Sequence, residues 1–323
     1  MQLSTMTKTT VYAPASIGNV SLGFDVLGAA LVPVSGDKLG DYVSVSEATS
    51  DSLDVQGPFA HKLPADASTN IVTQCLHFFR EACALRGITI PSTAMSLEKN
   101  LPIGSGLGSS ASSIVAAFAA LNAHYGNHFN EDELLTMMGE CEGQISGSVH
   151  YDNVAPSYLG GMTLMTGLSS PVTSKLPQVD SWYWTLCYSG ISVSTSAARK
   201  ILPEQVDMAT ALTFGRQLAV FVDALHQQDE ARAASMMHDV IAEPYRQTLL
   251  PGFTEARAYC MSKGALAFGI SGSGPTVFAV SDNKETADDL AQWLQQHYVQ
   301  NKDGFSHVCR IPDEGVVIET TKM

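Results

Sequence analysis

Four polar or glycine-rich segments hold the residue types that could do chemistry. The first runs from Pro102 to Ser112 as Pro-Ile-Gly-Ser-Gly-Leu-Gly-Ser-Ser-Ala-Ser. Gly104, Gly106 and Gly108 let the backbone approach a ligand closely and take positive φ. Ser109, Ser110 and Ser112 add hydroxyls. The Ala-rich stretch that follows predicts a helix whose free N–H groups and positive dipole end point back at the loop. This chemistry suits phosphate, and the loop has no lysine. Neither GxxxxGK[ST] nor GxGxxG spacing is present, so the segment is not one of the common nucleotide loops. An ordinary glycine-rich turn is the plain alternative.

The second segment pairs Glu142, on an expected helix, with the run His150-Tyr-Asp-Asn-Val-Ala-Pro156. Mg²⁺ prefers hard oxygen ligands, and a carboxylate beside a serine hydroxyl and phosphate oxygens would supply them. A solvated helix carboxylate is the competing reading, with Glu140 as the decoy. His150, Asp152 and Asn153 fall in a loop, where side chains can converge on a pocket. The third segment, Ala13 to Gly28, places Asn19 and Asp25 just after a strand-like run. They could present an amide and a carboxylate to an ammonium or hydroxyl, or simply bond their own backbone in turns. The fourth, Gly269-Ile-Ser-Gly-Ser-Gly-Pro-Thr276, reads as a tight turn in isolation and as a flank of the phosphate loop in company.

These segments need elements to hold them. A strand is expected around Thr9–Ala13, and Tyr42–Ser46 with Leu53–Gln56 suggests a hairpin. Apolar residues at helical spacing (Ile71, Val72, Cys75, Leu76, Phe79, Cys83) predict a helix over 70–85. A strand at Thr93–Leu97 leads into the glycine loop, and a helix then continues to about Tyr125. Asn130 and Glu133 stand in capping-box spacing for a second helix ending near Gly147. Met162–Met165 and Trp182–Tyr188 read as strands, with helices between Ser196 and Ser262. A strand–turn–strand over Leu266–Val280, a helix over Lys284–His297 and closing strands complete the chain. Strands and helices mix without βαβ alternation, which favours an α+β class. The Ser- and Pro-rich stretch 167–180 is the candidate boundary, giving expected domains 1–168 and 169–323.

Composition narrows the partners. The 323 residues are 45% apolar and 15% charged, as in a globular protein. The longest apolar run, Ile114–Leu121, is far short of the roughly 20 residues that cross a bilayer. The N-terminus has no apolar core of a signal peptide, so none is expected. Six scattered cysteines without ligand spacing read as reduced thiols, which points to the cytoplasm. A net charge of −14 argues against nucleic acid and anionic membrane. It also means that any anionic ligand must be handled locally.

In this order and combination the segments resemble the GHMP kinases. The match lies in Ala13-Pro-Ala15, in Pro-x-x-x-Gly-Leu-Gly-Ser-Ser-Ala from Pro102, and in Gly-Ser-Gly-Pro-Thr ending at Thr276. Within that family, Gly-Phe-Asp-Val-Leu-Gly at 23–28 and His-x-Asp-Asn-Val-Ala-Pro at 150–156 are similar to the branch that phosphorylates homoserine. The Gly-Glu-His signature of the galactose and mevalonate branches is absent. The resemblance implies a two-domain fold, an N-terminal domain like ribosomal S5 domain 2 followed by a ferredoxin-like domain. It also implies ATP and Mg²⁺, a small-molecule acceptor and a homodimer.

By the same resemblance, the loop Pro102, Ile103, Gly104, Ser105, Gly106, Leu107, Gly108, Ser109, Ser110, Ala111, Ser112 wraps the ATP phosphates. Asn70, with Ile71 and Val72, borders the adenine. Ser109 or Ser110, with Glu142, holds the metal. Asn19, Asp25, His150 and Asn153 face the substrate, and Arg199 and Arg246 take its carboxylate. A guanidinium fork suits that task. No lysine–aspartate pair in the motifs suggests itself for removing a proton. The expected chemistry is therefore direct attack of a hydroxyl on the γ-phosphate, with Asp25 orienting the substrate or accepting the proton and Asn153 stabilising the transferring group. A sugar or mevalonate-type acceptor, and a non-catalytic ligand-binding homologue, are the alternatives.

Overall fold

The computed structural model describes residues 7–64, 66–147 and 149–322. Residues 1–6, within the N-terminal stretch for which no signal peptide is expected, lie outside them.

In chain order the elements are β1 (Thr7–Gly18), β2 (Leu27–Pro33), β3 (Gly40–Glu47), β4 (Ser52–Gln56), α1 (Ile71–Ala84), β5 (Thr93–Glu98), α2 (Ser109–His124), α3 (Glu131–Ser146), α4 (Val154–Leu159), β6 (Met162–Met165) and β7 (Thr173–Leu176). Then come β8 (Tyr183–Tyr188), α5 (Thr195–Lys200), α6 (Met208–His226), α7 (Glu230–Ser235), α8 (Glu243–Arg246), α9 (Phe253–Ser262), β9 (Ala267–Ile270), β10 (Val277–Ser281), α10 (Lys284–His297), β11 (Phe305–Arg310) and β12 (Val317–Lys322).

The strands join in the order β4-β5-β3-β1-β2-β11-β8-β10-β9, with β12 also on β1 and β6–β7 on the side of β2. All pairings are antiparallel among the described residues except β4 on β5. The α+β expectation therefore stands. The hairpin expected from Tyr42–Ser46 and Leu53–Gln56 does not form, because β5 lies between the two strands, antiparallel to β3 and parallel to β4. Alternation fixes which face a strand buries, but not which strand lies beside it. The expected boundary stretch is not purely linker, since β7 lies within it and pairs with β6.

Strand β1 organises the site. Its first part pairs with β3 and β12, and its last residues, Ala15 to Gly18, pair with β2 instead. It thus delivers the segment after Gly18 to the middle of the molecule. Helix α2 packs in the same place and is buried on nearly all sides, from Ala111 through Asn122. That explains its alanines: a helix packed all round needs small side chains, not an amphipathic stripe. Asn70 caps α1 by accepting from the Val72 N–H at 2.9 Å. The capping box of α3 forms as expected between Asn130 and Glu133, and Gly147 ends that helix at φ 86°. Helix α3 holds Glu142 against the start of α2.

Candidate active site

A cleft of ≈ 640 Å³ opens where the glycine loop, the end of β1, the 150–153 segment and α5 meet. The loop is built by three positive-φ glycines: Gly104 at 66°, Gly106 at 80° and Gly108 at 62°. A Cβ would collide at all three, and on Gly104 it would lie 2.2 Å from Ser192 Oγ. A Cβ on Gly106 would lie 2.4 Å from the Ser271 carbonyl, and one on Gly108 would lie 2.2 Å from Ser16 Oγ. Gly108 is the N-cap of α2, so the positive end of a 16-residue helix begins at the cleft wall.

The loop's side chains divide. Ile103, Gly104, Ser105, Gly106, Gly108, Ser109 and Ser110 line the cleft. Pro102, Leu107, Ala111 and Ser112 are buried behind it. Ser112 Oγ donates to the Ala13 carbonyl at 2.8 Å and accepts from the Asp41 N–H at 2.9 Å. Its hydroxyl therefore seats the helix on β1 and β3 and does not face the cleft. The late glycine segment is more than a turn, because it buttresses the loop. Ser271 Oγ donates to the Gly106 carbonyl at 2.5 Å, and the Thr276 N–H donates to the Ser105 carbonyl at 3.1 Å.

Sequence reasoning missed Lys99. Its side chain is 2% exposed and runs beneath the loop, where Nζ is bonded to Asp41 and donates to the Ser109 carbonyl at 2.7 Å and Ser113 Oγ at 3.0 Å. All three ammonium protons are used. Asp41 is 0% exposed, and its other oxygen accepts from the Asn100 and Leu101 N–H groups at 2.8 and 3.1 Å. A lysine–aspartate pair is thus present after all, but both members are spent on locking the loop entrance. No local spacing signals it, since the partners are 58 residues apart.

Ser110 Oγ donates to Glu142 Oε1 at 2.7 Å, whereas Ser109 Oγ donates to the Leu101 carbonyl at 3.2 Å. Of the two serines, Ser110 is the one facing the carboxylate. Burial raises the Glu142 pKa, opposed by the Ser110 hydrogen bond and the Lys99 charge. A desolvated carboxylate and a hydroxyl at the cleft wall fit a hard divalent cation that keeps waters and phosphate oxygens as its other ligands. Among the described residues no cluster of three or more acidic, His or Cys side chains forms an all-protein metal cage.

The opposite wall is strained. Asn19, Val20, Ser21 and Asp25 all have positive φ, at 72°, 45°, 64° and 58°. For a β-branched residue such as Val20 this is a genuine outlier, and such strain, of order 1–3 kcal/mol per residue, concentrates at ligand sites. Asn19 Oδ1 accepts from the Asp25 N–H at 2.9 Å, which fixes the turn. Asp25 receives Arg199 bidentately at 2.7 and 3.1 Å. Arg199 Nη2 is also 2.9 Å from His150 Nε2. Burial lowers the His150 pKa, so the neutral ring accepts that bond; Asp25 opposes the shift and Arg199 adds to it. Arg246 is 4% exposed and donates to the Gly272 carbonyl at 2.8 Å and the Ala198 carbonyl at 3.3 Å. Both guanidiniums lie over the Phe24 ring, at 5.3 and 5.2 Å.

Asn153 sits between the two walls. Ser16 Oγ donates to its Oδ1 at 3.0 Å, which turns the amide N–H₂ to the other side as donor. Asp152 next to it is 5% exposed, and burial, then the Asp25 charge, raises its pKa to about 7. Asn70, Asn19, Asp25, Glu142, His150, Asn153, Arg199 and Arg246 all line the one cleft. Lys99, Asp152, Gly272, Ser273 and the 192–196 segment join them.

Comparison with known proteins gives the family. Residues 70–161 match the family model of the GHMP kinase N-terminal domain, and residues 221–300 match that of the GHMP kinase C-terminal domain. A homoserine kinase from Cytophaga hutchinsonii is 32% identical, with 99% of each chain covered and a TM-score of 0.86. The L. major mevalonate kinase, solved with R-mevalonate, is 15% identical over 96% of this chain and 98% of its own, with a TM-score of 0.67, a likeness of fold alone. The chain belongs to the GHMP kinase family. It has that family's two-domain fold and is an ATP-dependent small-molecule kinase.

Two outcomes follow. Asp41→Ala strands the Lys99 ammonium and should cost about 3–5 kcal/mol of stability by denaturant unfolding, whereas Asp41→Leu with Lys99→Met should recover much of the loss. An undiminished midpoint in the single variant would show the pair to be idle. Asp152 carries a pKa raised from 3.8 to about 7, so the native state holds its proton more tightly than the unfolded chain does. Its contribution to stability therefore falls as pH rises through that window and levels off above it. Asp152→Asn should flatten the melting-temperature profile between pH 5 and 8 and raise the melting temperature at pH 8. Parallel profiles would contradict this.

Proposed function

We propose that this chain is a homoserine kinase, converting ATP and L-homoserine to ADP and O-phospho-L-homoserine. The observation that carries the reading is the juxtaposition, in one cleft, of a helix-capping glycine–serine loop with Asp25, Arg199 and Arg246. A zwitterionic amino alcohol needs an anion for its ammonium and cations for its carboxylate, and these are the side chains opposite the loop. A sugar uses neither, and a mevalonate-type acid uses only the arginines. The 32% identity to the Cytophaga hutchinsonii homoserine kinase over the whole chain supports the same acceptor.

In this proposal the phosphates lie along residues 102–112, with the cleft-lining glycines and the α2 N-terminus offering N–H groups. Asn70 and Ile71 border the base at the α1 N-terminus, whereas Val72, expected beside them, is buried in the core and does not reach the cleft. Glu142 and Ser110, with Ser109 adjacent, would hold Mg²⁺, which neutralises phosphate charge when bound. Asn19 and Asp25 orient the ammonium, Arg199 and Arg246 take the carboxylate, and His150 stays neutral against Arg199. The substrate hydroxyl forms a bond to the γ-phosphorus, the bond to the β–γ bridging oxygen breaks, and the proton passes to a phosphoryl oxygen. Asn153 donates its amide to the transferring group. Positioning and charge neutralisation supply most of such catalysis.

The domain division 1–168 and 169–323, a cytoplasmic setting and a homodimer belong to the same proposal. All six cysteines are buried free thiols, in keeping with a reducing compartment.

An ADP-release assay with a panel of acceptors tests the reading. Homoserine should be turned over with Mg²⁺ present, and galactose and mevalonate should not. Glu142→Gln should lower kcat by about 10²-fold, the scale of losing one charge-stabilising group. Turnover of another alcohol with none of homoserine would overturn the acceptor.

A further inference from the structure

The two groups assigned above to the substrate's opposite charges are bonded to each other. Arg199 and Asp25 form a two-point ion pair at 2.7 and 3.1 Å, and each is only part-exposed, at 39% and 29% of its side chain. Neither partner can drift away cheaply. Asp25 is pinned by its left-handed backbone at φ 58° and by the Asn19 hydrogen bond to its N–H. Arg199 lies over Phe24 and is bonded to His150 on its other side. An amino-acid substrate placed between them has to separate them.

Resting on the zwitterion reading, we propose that the Asp25–Arg199 pair is an internal substitute for the substrate's own charges, exchanged on binding for two new pairs. The ammonium replaces Arg199 at Asp25, and the carboxylate replaces Asp25 at Arg199, with Arg246 alongside. A zwitterion breaks one ion pair and makes two. A ligand with a single charge that inserts breaks one pair, makes one, and leaves the other half-buried partner without a counter-charge. A neutral alcohol gains no ionic contact at all. The pair thus rejects singly charged alcohols more strongly than loss of one contact would, because an uncompensated charge in a partly desolvated site is costly. Charge discrimination becomes cooperative: both substrate charges are needed before either is rewarded.

Arg199 stands on α5, and the segment leading into that helix is tied to the glycine loop. The Val193 N–H donates to the Gly104 carbonyl at 3.0 Å, and Ser192 Oγ donates to the Ile103 carbonyl at 3.2 Å. Exchange at Arg199 therefore takes place on the same short segment that borders the proposed phosphate site.

The test uses four ligands of the same chain: L-homoserine, 4-hydroxybutanoate (no ammonium), 3-aminopropan-1-ol (no carboxylate) and propan-1-ol (neither). Dissociation constants are read by calorimetry on the full-length protein with Mg²⁺ and a non-hydrolysable ATP analogue present. Removing one member of the pair should weaken homoserine but tighten the ligand that suits the member left behind. Asp25→Asn should improve 4-hydroxybutanoate, and Arg199→Gln should improve 3-aminopropan-1-ol, each by roughly two- to fivefold, the size of a part-exposed ion pair. Weaker or unchanged analogue binding in the variants would overturn the exchange. If one variant does not fold, the reciprocal one decides. If neither folds, the parent decides: 3-aminopropan-1-ol no tighter than propan-1-ol supports the exchange, and a clearly tighter amine refutes it. Turnover of homoserine by the parent is scored separately. Its loss with the reciprocal gains intact would sink the acceptor and leave the exchange standing.

Discussion

The buried Lys99–Asp41 pair is the interaction on which the site depends. Two charges have been taken out of water at the point where β3, β5 and α2 converge, and such burial is tolerated only when every donor and acceptor is matched. Here it is: the ammonium meets Asp41, the Ser109 carbonyl and Ser113 Oγ, while the carboxylate also takes two backbone N–H groups at the entrance of the glycine loop. The pair fixes both ends of the loop at once, its entry at 100–101 and its exit at the first turn of α2. Between these clamps the glycines can hold left-handed conformations without collapsing onto the core, and Ser271 steadies the middle.

This rigidity resolves an apparent conflict of charge. A protein at −14 invites no polyanion by its overall field. Local features have to do so instead, and they are concentrated in one place: backbone N–H groups of the loop, the positive end of α2, and Arg199 and Arg246 across the cleft. The acidic groups nearby are managed by burial and pairing. Asp41 is locked by Lys99, and Asp25 is covered by Arg199. Burial raises the Asp152 pKa to about 7, so this carboxyl carries only part of its charge at pH 7.

Much of this was legible from residue types. Apolar spacing marked α1, and the capping-box pair Asn130 and Glu133 marked where α3 begins, because that polar pair before a helical run has few other uses. The glycine loop and the polar run at 150–153 pointed to the same cleft that the fold assembles. What could not be read were relations between distant parts. The alternation of Tyr42–Ser46 and Leu53–Gln56 set their faces but gave no hint that β5 would come between them. Lys99 sits at a strand end, where a lysine is ordinarily solvated, and its partner arrives from another strand. Asp25 and Arg199 each suggested a ligand contact, but their bond to each other is made only by the fold. Ser271 looked like a turn residue until the loop it supports lay beside it.

The most direct measurement is a crystal structure of the chain with a non-hydrolysable ATP analogue, Mg²⁺ and L-homoserine. The triphosphate should lie against the backbone between Ile103 and Ser110 at the start of α2, with the metal beside Glu142 and the amino acid's hydroxyl directed at the γ-phosphate. Phosphates bound anywhere else, with that loop empty, would contradict the account.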